Sequence, residues 1–93
     1  MATSKHAAAK LRAHMTPGEM LRTMRKLQDM TQAALAEAAG VPQPAISAIE
    51  GGRLELGAER ARRLARALHT HPAILLFPDW EAEPTKPATR RTA

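Results

Sequence analysis

The sequence predicts an all-α fold, a compact domain of five short helices between two polar tails. Apolar residues recur at three- and four-residue spacing, as in Met20, Leu21, Met24 and Leu27 and again in Ala61, Leu64, Ala65 and Leu68. Helix-starting residues (Thr16-Pro17, Thr31, Pro42, Pro72) alternate along the chain with helix-stopping ones (Gly40, Gly51-Gly52, Pro78). At 93 residues the chain has room for one small domain plus tails. Its core is modest enough that dimerisation would help to bury apolar surface.

Each element has its own local signature. Residues 1–15 read as a flexible basic arm, bearing Lys5, Lys10 and Arg12 and no acid. Thr16 is an N-cap with Pro17 at the first helical position, and Glu19, three residues on, completes a capping box. This first helix is expected to end near Gln28 or Asp29. Thr31 caps a second helix over Gln32–Ala39, which Gly40 ends. Pro42 and Pro44 bracket the start of a third, where missing N–H groups cost little, and Gly51-Gly52 stops it after Glu50. A loop over 53–57 leads to a fourth helix, about Ala58–Leu68, with Arg60, Arg62, Arg63 and Arg66 off its apolar face. Pro72 opens a short fifth helix carrying Ile74, Leu75 and Phe77, and Pro78 closes it. Residues 81–93, poor in apolar side chains and with two prolines, read as a disordered tail. The domain therefore spans 16–80.

The segment Thr31–Arg53, TQAALAEAAGVPQPAISAIEGGR, decides the reading. Leu35 and Ala36 fall on the inner face of its first helix, and a larger side chain at Ala36 would push the pair apart. Gly40 supplies the left-handed backbone of a sharp turn and Val41 closes the corner. Ile46 and Ile49, three apart, give the next helix a narrow apolar seam. That is the layout of a helix-turn-helix, whose second helix enters the DNA major groove. The alternative is an ordinary helical hairpin, which does not require Gly, Val and both Ile at these spacings.

Residues 16–80, from TPGEMLRTMRKLQDMTQ to LGAERARRLARALHTHPAILLFPDW, resemble the Xre-like helix-turn-helix family of phage repressors and Cro proteins. The resemblance implies a five-helix domain that binds operator DNA as a dimer. The later segment, LGAERARRLARAL with HPAILLFPDW, is similar to the HigA-type antitoxins that accompany small toxin proteins. That signature is less specific than the helix-turn-helix.

The first turn of the third helix would lie closest to base edges. Gln43 suits bidentate pairing with adenine N6 and N7, against the alternative of a cap or a phosphate contact. Pro44, Ala45 and Ala48 offer apolar contact alone, for example to a thymine methyl, and Ser47 discriminates poorly. Direct readout by such a helix is sparse, which leaves part of the specificity to DNA shape. Gln32, at the start of the second helix, resembles the family residue that holds a phosphate, and a helix N-terminus favours an anion there. Arg53 is a further phosphate partner or simply a surface charge. Arg25 and Glu50 match a family pair that links the first helix to the end of the third. Bidentate geometry suits the two, and the expected role is orientation, not base reading.

Composition tempers the case. The chain carries a net charge of +5, which suggests a polyanionic partner. Residues 16–80, however, hold eight basic and seven acidic residues, so the tails supply most of the excess. There is no cysteine, hence no disulfide or thiolate metal site. His69 and His71 lack partners for a metal shell and read as helix-end residues. No nucleophile context or phosphate loop suggests an enzyme, and no cofactor is implied. One Phe, one Trp and no Tyr give little for stacking single-stranded RNA. No apolar run reaches the ~20 residues of a membrane span, so the expected setting is the cytoplasm.

The expected function is a double-stranded-DNA-binding transcriptional regulator, a repressor acting as a homodimer. A finer form of this is the autoregulating antitoxin of a toxin–antitoxin pair. The alternative is a protein-interaction module that chiefly neutralises a small toxin. Helix five, with Ile74, Leu75, Phe77 and Trp80, is the candidate dimer surface, unless these side chains complete the monomer core.

Overall fold

The computed structural model describes residues 15–79, so the N-terminal arm (but for Met15), Trp80 and the C-terminal tail lie outside the described residues. Five helices follow in order: α1 (Pro17–Leu27), α2 (Gln32–Ala39), α3 (Gln43–Glu50), α4 (Ala58–Ala67) and α5 (Pro72–Leu76). Among the described residues there is no strand. Helix α1 packs on α3 and α5, α2 on α3 and α4, and α4 on α5.

Local chemistry sets the ends. The Thr16 hydroxyl accepts from the Glu19 N–H at 3.1 Å while the Glu19 carboxylate accepts from the Thr16 N–H at 3.0 Å, the reciprocal box expected of this pair. Thr31 accepts from the Ala34 N–H at 3.0 Å. Gly40 adopts φ 70°, ψ 31° and turns the chain from α2 into α3. His71 caps α5, its Nδ1 accepting from the Ala73 N–H at 3.0 Å, which gives this histidine a structural task.

Seven aliphatic side chains are sealed inside: Leu21, Leu35, Ile46, Ile49, Leu64, Leu68 and Leu75. Every helix contributes at least one. Burial of each contributes about 1.5–3 kcal/mol relative to exposure, the main term holding so small a domain together. Ala39, Val41 and Ala61 fill the narrow spaces between helices, and Ala36 packs partly buried beside them.

Some expectations fail. Leu27 does not join the apolar face of α1 but stands 74% exposed. The buried residues of α1 are Gly18, Met20, Leu21 and Arg25. Leu27 follows Met20 by seven residues and so shares its side of the helix, but it is the last residue of α1 and stands out in solvent. Arg60, off the apolar face of α4 as expected, is not simply solvated: its guanidinium bonds the Leu56 and Glu55 carbonyls at 3.0 and 2.8 Å and closes the α3–α4 loop. Leu75 belongs to the monomer core, leaving Ile74 on α5 and Phe77 just after it exposed.

At Gly18 the backbones of α1 and α3 come close together. A Cβ there would collide with the Ile49 carbonyl and come within 3.3 Å of the Glu50 Cα, all backbone that cannot swing aside. Gly18 thus sets the depth at which the C-terminus of α3 docks on α1. Ala normally improves a helix by about 1 kcal/mol over Gly, but the clash should outweigh that. Gly18→Ala is expected to lower the melting temperature by roughly 5–15 °C, the scale of a 1–3 kcal/mol overpacking penalty in a domain this small. Thermal unfolding followed by circular dichroism checks this. A variant as stable as the parent would mean that the α1–α3 contact is not as close as described.

Candidate nucleic-acid interface

Helix α3 is two-sided. Ile46 and Ile49 are buried, whereas Gln43 and Pro44 are exposed and Ser47 and Ala48 half-exposed. The apolar seam anchors α3, and its remaining side chains are left to face outwards. Ala45 lies between these sides, half-buried and packed against the core.

What orients this helix is a chain of four polar side chains. The Arg25 guanidinium donates from Nε to Glu50 Oε2 at 2.8 Å and from Nη2 to Glu50 Oε1 at 2.9 Å. Its third nitrogen, Nη1, donates to the Met30 carbonyl at 2.7 Å in the α1–α2 turn. Gln32 Nε2 donates to Glu50 Oε1 at 3.0 Å, and Gln43 Nε2 reaches Gln32 Oε1 at 3.4 Å. The carboxylate can only accept, so Glu50 dictates which end of the Gln32 amide faces it and leaves the oxygen for Gln43. One carboxylate at the end of α3 is thereby tied to α1, to the start of α2 and, through Gln32, to the start of α3.

Arg25 is 8% exposed and is the buried charged residue among those described. Burial alone would push the Glu50 carboxyl up. The hydrogen bonds from Arg25 and Gln32, with the positive charges of Arg25 and Arg22, outweigh that and hold it below its ordinary value. The bond to Glu50 raises the Arg25 guanidinium in turn, against the opposing effect of burial. No buried side-chain nitrogen or oxygen among the described residues lacks a partner.

Beside this network lies a shallow concavity lined by Arg22, Lys26, Gln32, Ser47, Gly51 and Arg53, with the Arg25–Glu50 pair as its floor. The sequence reading placed Gln32 and Arg53 near an anion, and both line this surface. It missed Arg22 and Lys26, which stand exposed one turn apart on α1. Their spacing of four residues was a readable signal, but only the docking of α1 on α3 brings them beside Arg53. The Arg53 guanidinium lies close over Gly51. Arg62 and Arg63 of α4 are elsewhere, paired with Glu59 at 2.9 and 3.2 Å.

The two helix starts differ in backbone donors. In α2 the Ala34 and Leu35 N–H groups are bonded to Thr31, leaving those of Gln32 and Ala33 unpaired at the positive end of the helix. In α3 the Ala45 and Ile46 N–H groups bond the Pro42 carbonyl and Pro44 has none, so only the Gln43 N–H is left. The start of α2 is therefore suited to an anion, and the start of α3 is poor in backbone donors.

Two short helices around a left-handed glycine, the second fixed by a buried ion pair and exposed at its first turn, make this a helix-turn-helix protein. The helix-turn-helix family profile HTH_3 matches residues 21–75, and the chain belongs to that Xre/Cro-like family. It is similar to an uncharacterised HTH-type transcriptional regulator, y4aM, of Sinorhizobium fredii, with 39% identity over 56 residues. That match covers 60% of this chain and 39% of the relative, so the chain spans well under half of the regulator's length. Among solved structures it resembles the P22 c2 repressor protein, crystallised in complex with synthetic operator 9T in the presence of Tl+. The TM-score is 0.65 at 37% identity, covering 70% of this chain and 98% of the repressor chain.

The network makes a stability prediction with a defined pH sense. Glu50→Gln leaves Arg25 buried beside a neutral amide and should cost about 3 kcal/mol or more, as breaking one side of a buried pair does. The Glu50 carboxyl lies lower in the folded state than in the unfolded chain, where it is near 4.5. Its contribution is thus fully present above about pH 4.5 and is lost as pH falls through the folded value. Denaturant titrations of both proteins between pH 7 and pH 3 should show the gap between them closing towards the acid end. A gap that does not change with pH would show that the carboxylate charge is not what matters.

Proposed function

We propose that the protein is a sequence-specific double-stranded-DNA-binding transcriptional regulator that represses by occupying its operator. The observation that carries this reading is the Arg25–Glu50–Gln32–Gln43 chain, which presents the outward face of α3 from a rigid support beside a basic concavity. The likeness to a repressor crystallised with its operator supports it. In this reading α3 enters the major groove. Gln43 pairs with adenine, while Pro44 and Ala48, with the half-buried Ala45 beside them, meet the groove through apolar contact and Ser47 adds an undiscriminating hydroxyl. Gln32, the free N–H groups of α2, Arg53, Arg22 and Lys26 hold phosphates and fix register.

The regulator acts as a homodimer on half-sites about one helical turn apart. The exposed Ile74 of α5 and Phe77 at its C-cap, at 43% and 59% exposure, favour a protein partner at that helix. Within the same reading, an antitoxin role would add a small toxin protein as a second partner. Sedimentation of Phe77→Ser tests the first use. Loss of the dimer together with weaker operator binding supports a self-association surface. An unchanged dimer leaves that helix to a different protein.

The decisive experiment is binding to the DNA upstream of the protein's own gene, across a salt series and beside random DNA. Gln43→Ala is expected to weaken operator binding by roughly 5- to 100-fold, the span of one bidentate base contact, with little effect on random DNA. Arg53→Ala should weaken both alike and reduce the salt slope by about 1. Equal, steeply salt-dependent binding to every DNA would defeat the operator reading.

A further inference from the structure

We propose that Trp80 seats its indole in a groove of its own domain, between the start of α1 and the α3–α4 loop, so that the segment after α5 closes back on the domain and braces that loop. Trp80 is then part of the monomer and not of a surface between copies. This does not depend on what the outward face of α3 binds.

The groove has a volume of about 550 Å³, and its walls are mainly apolar, formed by Pro17, Ile49, Leu54, Leu56 and Leu76. Along it Leu54 is 37% exposed and Leu76 half-buried. Such surface gains by being covered.

The course of the chain selects the cover. Leu76, the last residue of α5, is itself a wall of the groove. Phe77 is exposed, but Pro78 is buried, which brings the backbone back onto the domain. Trp80 follows two positions later, and two residues span at most about 7 Å. Beyond Pro78 it is the one large apolar side chain in the sequence. An indole buries roughly 150–250 Å² when covered and calls for an acceptor for its N–H. The loop beside the groove offers the Arg53 and Leu54 carbonyls, which accept no hydrogen bond from the other described residues.

Two other occupants fit less well. The basic arm also reaches the groove, at Thr16, but Met15 already packs on the core and the next large apolar residue is Leu11. Charge does not separate arm from tail, because Arg53 and Glu55 both line the groove. A second copy would need more surface, since eleven residues line the groove and one side of a stable interface takes about 20–30. A seated indole would also fix Leu54, and with it the neighbouring Arg53, which the proposed function sets against a phosphate.

Trp80 is the single tryptophan and the chain has no tyrosine, so its fluorescence reports on this one side chain. In the full chain its emission should lie to the blue of N-acetyltryptophanamide in water. Acrylamide should quench it several-fold less than in the chemically unfolded chain, and neither value should change on dilution. Leu54→Asp, which puts a charge on the groove wall, should move both towards the unfolded values. Leu27→Ser, at an exposed leucine outside the groove, should leave them alone. Trp80→Ala should lower the melting temperature by roughly 5–15 °C, the scale of losing one partly covered apolar side chain from a domain this small.

The emission of a water-exposed indole in the parent would overturn the proposal, as would a Trp80→Ala variant as stable as the parent. Shielding that disappears on dilution would overturn it in favour of a contact between copies. Shielding that survives Leu54→Asp, in a protein of unchanged helicity, would overturn it in favour of another surface.

Discussion

The Arg25–Glu50 pair is the constraint on which the rest of the molecule depends. Its two short bonds join the end of α1 to the end of α3, and the third arm of the guanidinium secures the intervening turn at Met30. Arg25 occupies a place on α1 that a leucine would take in an ordinary core. The cost of burying it is offset because each of its three nitrogens has an acceptor. Ile46 and Ile49 supply burial without direction, and the planar fork on the carboxylate adds a directional contact between α1 and α3. This is specificity of arrangement more than bulk stability, the use for which buried ion pairs are best suited.

Around that pair the work is divided between packing and recognition. The sealed aliphatic residues and the small alanines set distances between helices, and Gly18 allows the close approach of α1 and α3. The side chains that would carry recognition in the proposed function have no share in the core: Gln43 and Pro44 on α3, and Arg22, Lys26 and Arg53 around the concavity. The domain as a whole is close to neutral, so its basic surface is a local arrangement and does not follow from bulk charge. Arg62 and Arg63 show the contrast, being as positive as Arg53 yet engaged with Glu59 on their own helix.

Much of this was legible in the residues, because helix ends are written locally. Thr16, Thr31, Gly40 and Pro42 act through neighbours three or four positions away, and the expected helix limits fall within a residue or two of those observed. The Arg25–Glu50 pair was legible through family resemblance, not through spacing. The contacts that escaped are long-range ones. Gly18 gives no sign in the sequence that the α3 backbone will pass over it. Leu27 reads as core until the helix is seen to end beneath it, with Arg25 taking the inward position. Arg60 reads as a solvated arginine until the loop carbonyls it binds are folded towards it, and Gln28 as a helix end until its amide reaches the Leu68 carbonyl at 2.8 Å. Gln32 was read as a phosphate residue without its second task of passing the hold of Glu50 on to Gln43.

The two-sidedness of α3 bears on how such a protein changes over evolutionary time. Residues that hold the helix (Ile46, Ile49, Glu50) and residues that face outwards (Gln43, Pro44, Ser47) interleave along eight positions but share little packing. A gene duplicate can exchange the outward set while inheriting the fold intact, so new target sequences are reachable through a few substitutions that leave the core alone. Position 43 is the exception. Its amide leans on Gln32, so a replacement there is screened by the scaffold as well as by whatever the outward face meets. Divergence among duplicates would therefore run fastest at 44, 47 and 48, with 43 lagging behind.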